Sequence, residues 1–169
     1  MRRSPHDDRN TAGVGPPACL AICNGYIGQT TYTLEEEPLS LPAFRARVRT
    51  ITASYPFFVA KDERGETVGY AYLSAFNERS AYRVSADLSI YVAQNARRGG
   101  IGDALLSAIE SAAGDYGIRT LISLVTSENE PSVRFHEKHG FLPEGTLHDV
   151  AVKFGRSLGV TFFRKPLVG

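Results

Sequence analysis

Cysteine is scarce: Cys19 and Cys23 are the only two in 169 residues. They stand four apart, on one side of an expected helix, and the four histidines show no zinc spacing beside them. A metal centre is therefore not expected, and both thiols read as small buried hydrophobes. Charge of one sign is not in excess either. Nineteen Lys and Arg stand against 18 Asp and Glu, a formal net charge of +1. The basic residues are scattered apart from Arg2-Arg3 and Arg97-Arg98, which argues against a nucleic-acid partner. No apolar run reaches 18 residues, so no membrane span is expected. The opening MRRSPHDDRNTAGVGPP lacks the apolar centre of a secretory signal, and a cytoplasmic location follows as the expectation. Internal repeats and low-complexity blocks are absent.

What is present is ample material for a core, with 43% hydrophobic residues. The length suits one domain. Residues 1–15 are polar and aperiodic and read as a loose tail, with a single domain over 16–169. After Pro16-Pro17, ACLAICNGYIG fits a short helix. TTYTL (30–34) is β-prone. A second helix follows, with Ser40 as N-cap and Phe44, Val48 and Ile51 on one face. Two apolar runs around Asp62–Gly65 predict a hairpin, and YRVSADLSIYV a third strand. Ile101, Ala104, Leu105, Ala108, Ile109 and Ala112 repeat at helical spacing until Gly117 stops them. RTLISLV suits a strand covered on both faces. NEPSVRFHEKHG is a helix capped by Asn129, and two strands end the chain. The order ααβββαβαββ is that of an α/β layer protein.

The stretch NARRGGIGDALLSAIESAAGDYGI (95–118) sets two arginines and a glycine turn at a helix start, where unpaired amides favour an anion. A nucleotide P-loop needs Gly-Lys-Ser/Thr, but Asp103 follows Gly102. A dinucleotide fingerprint needs a third glycine where Leu105 stands. The remaining pattern, R-x-x-G-x-G, is met by Arg97, Gly100 and Gly102, and an ordinary strand-to-helix turn is the plain alternative.

This pattern resembles the acetyl-CoA pyrophosphate loop of the GNAT superfamily of N-acetyltransferases. NEPSVRFHEKHGF is similar to that superfamily's N-x-x-S-x-x-x-(Y/H)-E-K-x-G-F helix. AICNGYIGQTTYT, GYAYLSAFNERSAYR, SIYV and VKFGRSLGV narrow the resemblance to the phosphinothricin acetyltransferase subfamily, over about Ala18 to Leu167. The resemblance implies a mixed, mostly antiparallel sheet flanked by about four helices and splayed at the acetyl-CoA site. It implies that Ile90, Tyr91 and Val92 pair with pantetheine, and that Asn129 touches its arm. The loop Arg97, Arg98, Gly99, Gly100, Ile101, Gly102 and Asp103 would hold the pyrophosphate, with Lys138 also on the cofactor. Glycine at 100 and 102 would let the backbone approach the phosphates.

Acetyl transfer to an amine needs groups that take a proton from nitrogen and return one to sulfur. The resemblance puts Asp87 and His136 in those roles. A buried Asp87 would have a raised pKa, suiting a base acting directly or through water; a surface-facing aspartate is the plain alternative. His136 would serve near the sulfur as acid or relay. Subfamily substrates are small amino acids such as phosphinothricin and methionine sulfone or sulfoximine. Asn77, Arg79, Tyr82, Arg83, Leu88 and Ser89 would face such a substrate. Strand alternation puts Arg83 on the face of Asp87 and makes it the first choice as a carboxylate clamp. Late in the chain KFGRSLG departs from the subfamily's K-F-G-R-W-x-D at Ser157 and Gly159. Other acceptors therefore stay open, namely a protein N-terminus, a polyamine or an antibiotic, as does a non-catalytic acyl-CoA-binding module. The resemblance also implies a homodimer, for which Phe162-Phe163 offers an apolar patch.

Overall fold

The computed structural model describes residues 15–97 and 99–167. Helices α1 (Gly15–Gln29) and α2 (Leu41–Thr52) come first, then strands β1 (Phe57–Lys61), β2 (Thr67–Ala75) and β3 (Ser85–Val92). Helix α3 (Ile101–Ala113), β4 (Thr120–Thr126), α4 (Glu130–Lys138), β5 (Leu142–Lys153) and β6 (Arg156–Pro166) complete the chain. The local signals work as expected. Ser40 Oγ accepts from Ala43 N–H at 3.3 Å, and Asn129 Oδ1 from Ser132 N–H at 3.2 Å. Gly117 leaves α3 and its 3₁₀ extension in the left-handed region.

The six strands lie in the order β1-β2-β3-β4-β6-β5. Every neighbouring pair is antiparallel except β3 and β4. One face packs on α3 and α4, where Leu105, Leu106 and Ile109 meet Leu73, Leu88 and Leu121. The other packs on α1 and α2, where Cys19, Cys23, Ile27, Phe44 and Val48 meet Val59 and Tyr70. Both thiols are buried there and free, and burial pushes that of Cys19 up to about 12. Among the described residues no helix is long and apolar enough to cross a membrane.

Three sequence expectations need correction. TTYTL is not a strand: Thr30 Oγ1 donates back to Tyr26 O and accepts from Tyr32 N–H, so the segment turns at the end of α1. It is held by Lys153, whose buried ammonium donates to Thr33 O at 2.8 Å, and by Thr31 on Glu128. The third strand starts at Ser85 rather than Tyr82, because Ser80–Val84 closes into a 3₁₀ turn. Alternation therefore does not reach Arg83. Phe163 is part of the chain's own core and Phe162 is half-buried. Several of the exposed apolar side chains lie instead on the edge strand and its turn, among them Leu147, Val150, Val152 and Phe154. The tail expected over 1–15 lies, but for Gly15, outside the described residues.

Candidate active site

Strands β3 and β4 pair only at Ser85–Thr120, Ala86–Leu121 and Asp87–Ile122. Both run on, β3 to Val92 and β4 to Thr126, without pairing again, so the sheet opens in a wedge. The wedge is one wall of a cleft of about 680 Å³. Ala93 N–H bonds Val68 O on β2, so by antiparallel alternation the odd residues of β3 bond β2. The Leu88 amide is spent on Ile122 O at the last pair, so the open edge begins at Leu88 O and runs on through Ile90 and Val92. Such an open strand edge accepts an extended, amide-bearing chain.

The far end of the cleft is the start of α3. Gly100 adopts φ +75°, a left-handed turn that costs an L side chain about 1–2 kcal/mol. The first helical bond is Ala104 N–H to Gly100 O. The amides of Ile101, Gly102 and Asp103 therefore have no carbonyl below them and suit an anion. Gly102 has a reason within the chain beside the one expected. A Cβ there would lie 3.1 Å from the Phe135 ring of α4, so the glycine serves helix-to-helix approach. Together the open edge and the helix start fit the two halves of acetyl-CoA, its amide arm and its pyrophosphate.

Of the expected cofactor residues, Ile90, Tyr91, Val92, Arg97, Gly100, Ile101, Gly102, Asp103, Asn129 and Lys138 all line this cleft. Gly99 is exposed beside it, and Arg98 lies outside the described residues. Arg97 is held by groups the sequence did not single out. Its guanidinium donates to Tyr26 Oη at 2.8 Å and stacks over Tyr26 and Tyr32. Tyr26 Oη in turn donates to Val92 O at 2.7 Å. Asp103 accepts from His139 Nε2 at 2.7 Å and from Lys138 at 3.3 Å, which joins the start of α3 to the end of α4. Among the described residues no cluster of three His, Cys, Asp or Glu is placed to hold a metal ion.

Asp87 and His136 sit at the apex of the wedge, on opposite faces of the sheet. Ala86 and Leu88 belong to the α3 face, so alternation sends Asp87 to the α1–α2 face, with Ser89 and Tyr91. One carboxylate oxygen of Asp87 is buried without a partner, and burial raises its pKa to about 6. His136 is buried on the other face. Its Nδ1 lies 2.7 Å from Ser132 O and its Nε2 lies 2.8 Å from Ser123 Oγ. Burial lowers the imidazole pKa, outweighing the opposing effect of the Ser132 carbonyl. Ser123 was not singled out from sequence, although a lone serine inside the apolar run RTLISLV was its signal.

The expected substrate residues divide. Leu88 and Ser89 line the cleft. Asn77, Arg79, Tyr82 and Arg83 occupy the exposed loop before β3. Asn77 Oδ1 accepts from Arg79 N–H at 3.0 Å, and Arg83 Nη1 donates to Ser80 O at 3.3 Å.

Comparison with known proteins agrees with this geometry. Residues 21–141 match the acetyltransferase (GNAT) family model. An L-methionine sulfoximine/L-methionine sulfone acetyltransferase of Pseudomonas paraeruginosa is 35% identical over 158 residues, 90% of each chain. The crystal structure of a GNAT superfamily phosphinothricin acetyltransferase from Sinorhizobium meliloti, in complex with acetyl-CoA, superposes with a TM-score of 0.90 at 35% identity. It covers 99% of this chain and 89% of that one. A ribosomal-protein-alanine N-acetyltransferase from Brucella melitensis superposes with a TM-score of 0.86 at 34% identity, covering 98% of each chain. The chain belongs to the GNAT family of acetyltransferases, which transfer an acetyl group from acetyl-CoA to an amine.

Proposed function

We propose that the acceptor is the α-amine of a small free amino acid or analogue, of the methionine sulfone, methionine sulfoximine or phosphinothricin type named in the relatives. One observation carries the reading: Asp87, half-buried with an unpartnered oxygen, stands at the last β3–β4 pair before the wedge. An entering ammonium supplies the missing partner. It yields a proton, directly or through one water, to a carboxylate with a pKa near 6. The Ile90 amide, the first to face the wedge beyond the paired steps, serves as donor to the thioester oxygen. The pyrophosphate lies at 97–103 and the amide arm along Ile90, Tyr91 and Val92, toward Asn129. The acceptor's carboxylate is taken by Arg83 or Arg79 of the loop at 77–83. A guanidinium has five donors, and Arg83 spends one on Ser80 O.

Release of CoA across a panel of free amino acids, their sulfone and phosphinate analogues, polyamines and alanine-starting peptides tests the acceptor. Turnover concentrated on methionine sulfone, methionine sulfoximine or phosphinothricin is expected. The Brucella similarity favours a second reading, an alanine N-terminus, and turnover of peptides alone would establish it in place of the first.

We further read residues 16–169 as a single acetyltransferase domain that works in the cytoplasm as a homodimer. The exposed apolar side chains Leu147, Val150 and Val152 on edge strand β5, with Phe154 in the turn after it, support the dimer, since a two-fold partner would remove them from water. Light scattering at micromolar concentration is expected to give twice the chain mass, and Val152→Glu a monomer. A monomeric wild-type protein refutes the assembly.

A further inference from the structure

Acetylation of an ammonium takes two protons off nitrogen, one before attack and one after the C–N bond forms. Asp87 accounts for the first. The second must leave as the C–S bond breaks, when the departing sulfur needs a proton. Ser89 and Tyr91 share the face of Asp87 and line the cleft there; on the opposite face a buried hydroxyl and imidazole stand together at the wedge.

Ser123 stands on β4 one residue beyond the last β3–β4 pair, buried and lining the cleft. Its Oγ lies 2.8 Å from His136 Nε2 and 3.4 Å from Leu88 O, across the first unpaired step of the wedge. A carbonyl only accepts, so the 2.7 Å contact to Ser132 O assigns the imidazole hydrogen to Nδ1. Nε2 is then the bare nitrogen, and it receives the Ser123 hydroxyl hydrogen. The rings of Phe141 and Phe163 pack on the imidazole at 4.9 and 5.3 Å. Ser123 is the polar neighbour of Nε2.

The geometry points to a Ser123–His136 proton relay for acetyl transfer, with Ser123 as the catalytic hydroxyl and His136 acting through it. This rests on the acetyltransferase reading above. As the C–N bond forms, the nitrogen's second proton passes to Ser123 Oγ while the hydroxyl's own proton passes to Nε2. The imidazolium is held by Ser132 O on one side and Ser123 on the other. It returns its proton through Ser123 to the sulfur as the C–S bond breaks. Nitrogen and sulfur are substituents of one carbon, so one hydroxyl reaches both. The net result is amide and thiol, with one proton left on Asp87 and neither serine nor histidine changed. Leu88 O gives the hydroxyl a second acceptor while Nε2 is protonated.

The test uses the full-length protein with acetyl-CoA and the best acceptor of the panel. Ser123→Ala is expected to lower kcat about 10²-fold, with acetyl-CoA affinity by calorimetry and acceptor KM changed less than threefold. Ser123→Thr keeps the hydroxyl and is expected to recover most of the rate. His136→Phe should lose a similar factor, and the double variant no more than the worse single, because the two act as a unit. The imidazole ¹⁵N spectrum of the free wild-type protein should show hydrogen on Nδ1 at neutral pH. Wild-type kcat in Ser123→Ala, multiplying losses in the double variant, a Ser123→Thr protein no faster than Ser123→Ala, or hydrogen on Nε2 each overturns the relay while the acetyltransferase reading stands. Wild-type protein that binds acetyl-CoA yet acetylates no amine overturns both.

Discussion

Asp87→Asn is expected to lower kcat by about 10²–10⁴-fold while raising the melting temperature at neutral pH. Both effects have one cause. The carboxylate is withdrawn from water without a compensating partner, and its pKa rises from 3.8 to about 6. The folded state therefore binds this proton more tightly than the unfolded chain does. Asp87 is no burden below about pH 4; the burden grows between pH 4 and 6 and is complete above. Asparagine removes it, for a gain of about 1–2 kcal/mol at pH 7, allowing for the solvent that still reaches the group. For a chain of this size that is a few degrees in Tm. The same titration makes wild-type kcat/KM rise with pH to a midpoint near 6, because only the carboxylate can accept a proton. Asp87→Glu keeps the base and should keep much of the rate. A pH profile unchanged in shape and height in Asp87→Asn would remove Asp87 from the reaction. An unchanged Tm would show that its carboxylate is better solvated than its surroundings imply.

Gly102→Val is expected to weaken acetyl-CoA binding about 10²-fold. The added Cβ would stand 3.1 Å from Phe135 Cε2 and 3.5 Å from Cζ, and the γ-methyls reach further. The ring cannot retreat freely: His139 packs against it at 4.5 Å, and it rests on the core between α3 and α4. Either the ring enters the cleft it lines or the first turn of α3 shifts. Both spoil the amides that face the anion. Shrinking the ring in the same background, Gly102→Val with Phe135→Leu, should restore most of the affinity. Calorimetric titration of acetyl-CoA reads both variants. A folded Gly102→Val protein with wild-type affinity would show that the pyrophosphate does not depend on this turn.

These two residues also mark how far the sequence reaches. Asp87 was singled out through its motif, and burial, the stated condition for a raised pKa, is what the fold supplies. Gly102 was singled out as a glycine for phosphate approach, and Phe135 beside it adds a second constraint. Phe135 lies 33 positions away, and no local pattern links the two.

By itself the sequence determined the elements and their order. Helical spacing from Ile101 to Ala112, the caps Ser40 and Asn129, and the turn at Asp62–Gly65 act within a few residues, where propensity, capping and side-chain period are decided. It also marked the glycine turn, because left-handed backbone and a helix start are local events. Only the tertiary structure decided where β3 and β4 part, since that depends on what fills the space between them and not on either strand alone. It turned Tyr82–Val84 out of β3 and so removed the alternation that would pair Arg83 with Asp87. It buried Phe163 in the chain's own core and left Val152 and Phe154 exposed. It joined Tyr26 to Arg97 across 71 positions, and Ser123 to His136 and Leu88 across 13 and 35. Hydrogen bonds across such separations form only after the sheet and its helices bring the partners within about 3 Å, and no spacing along the chain encodes them.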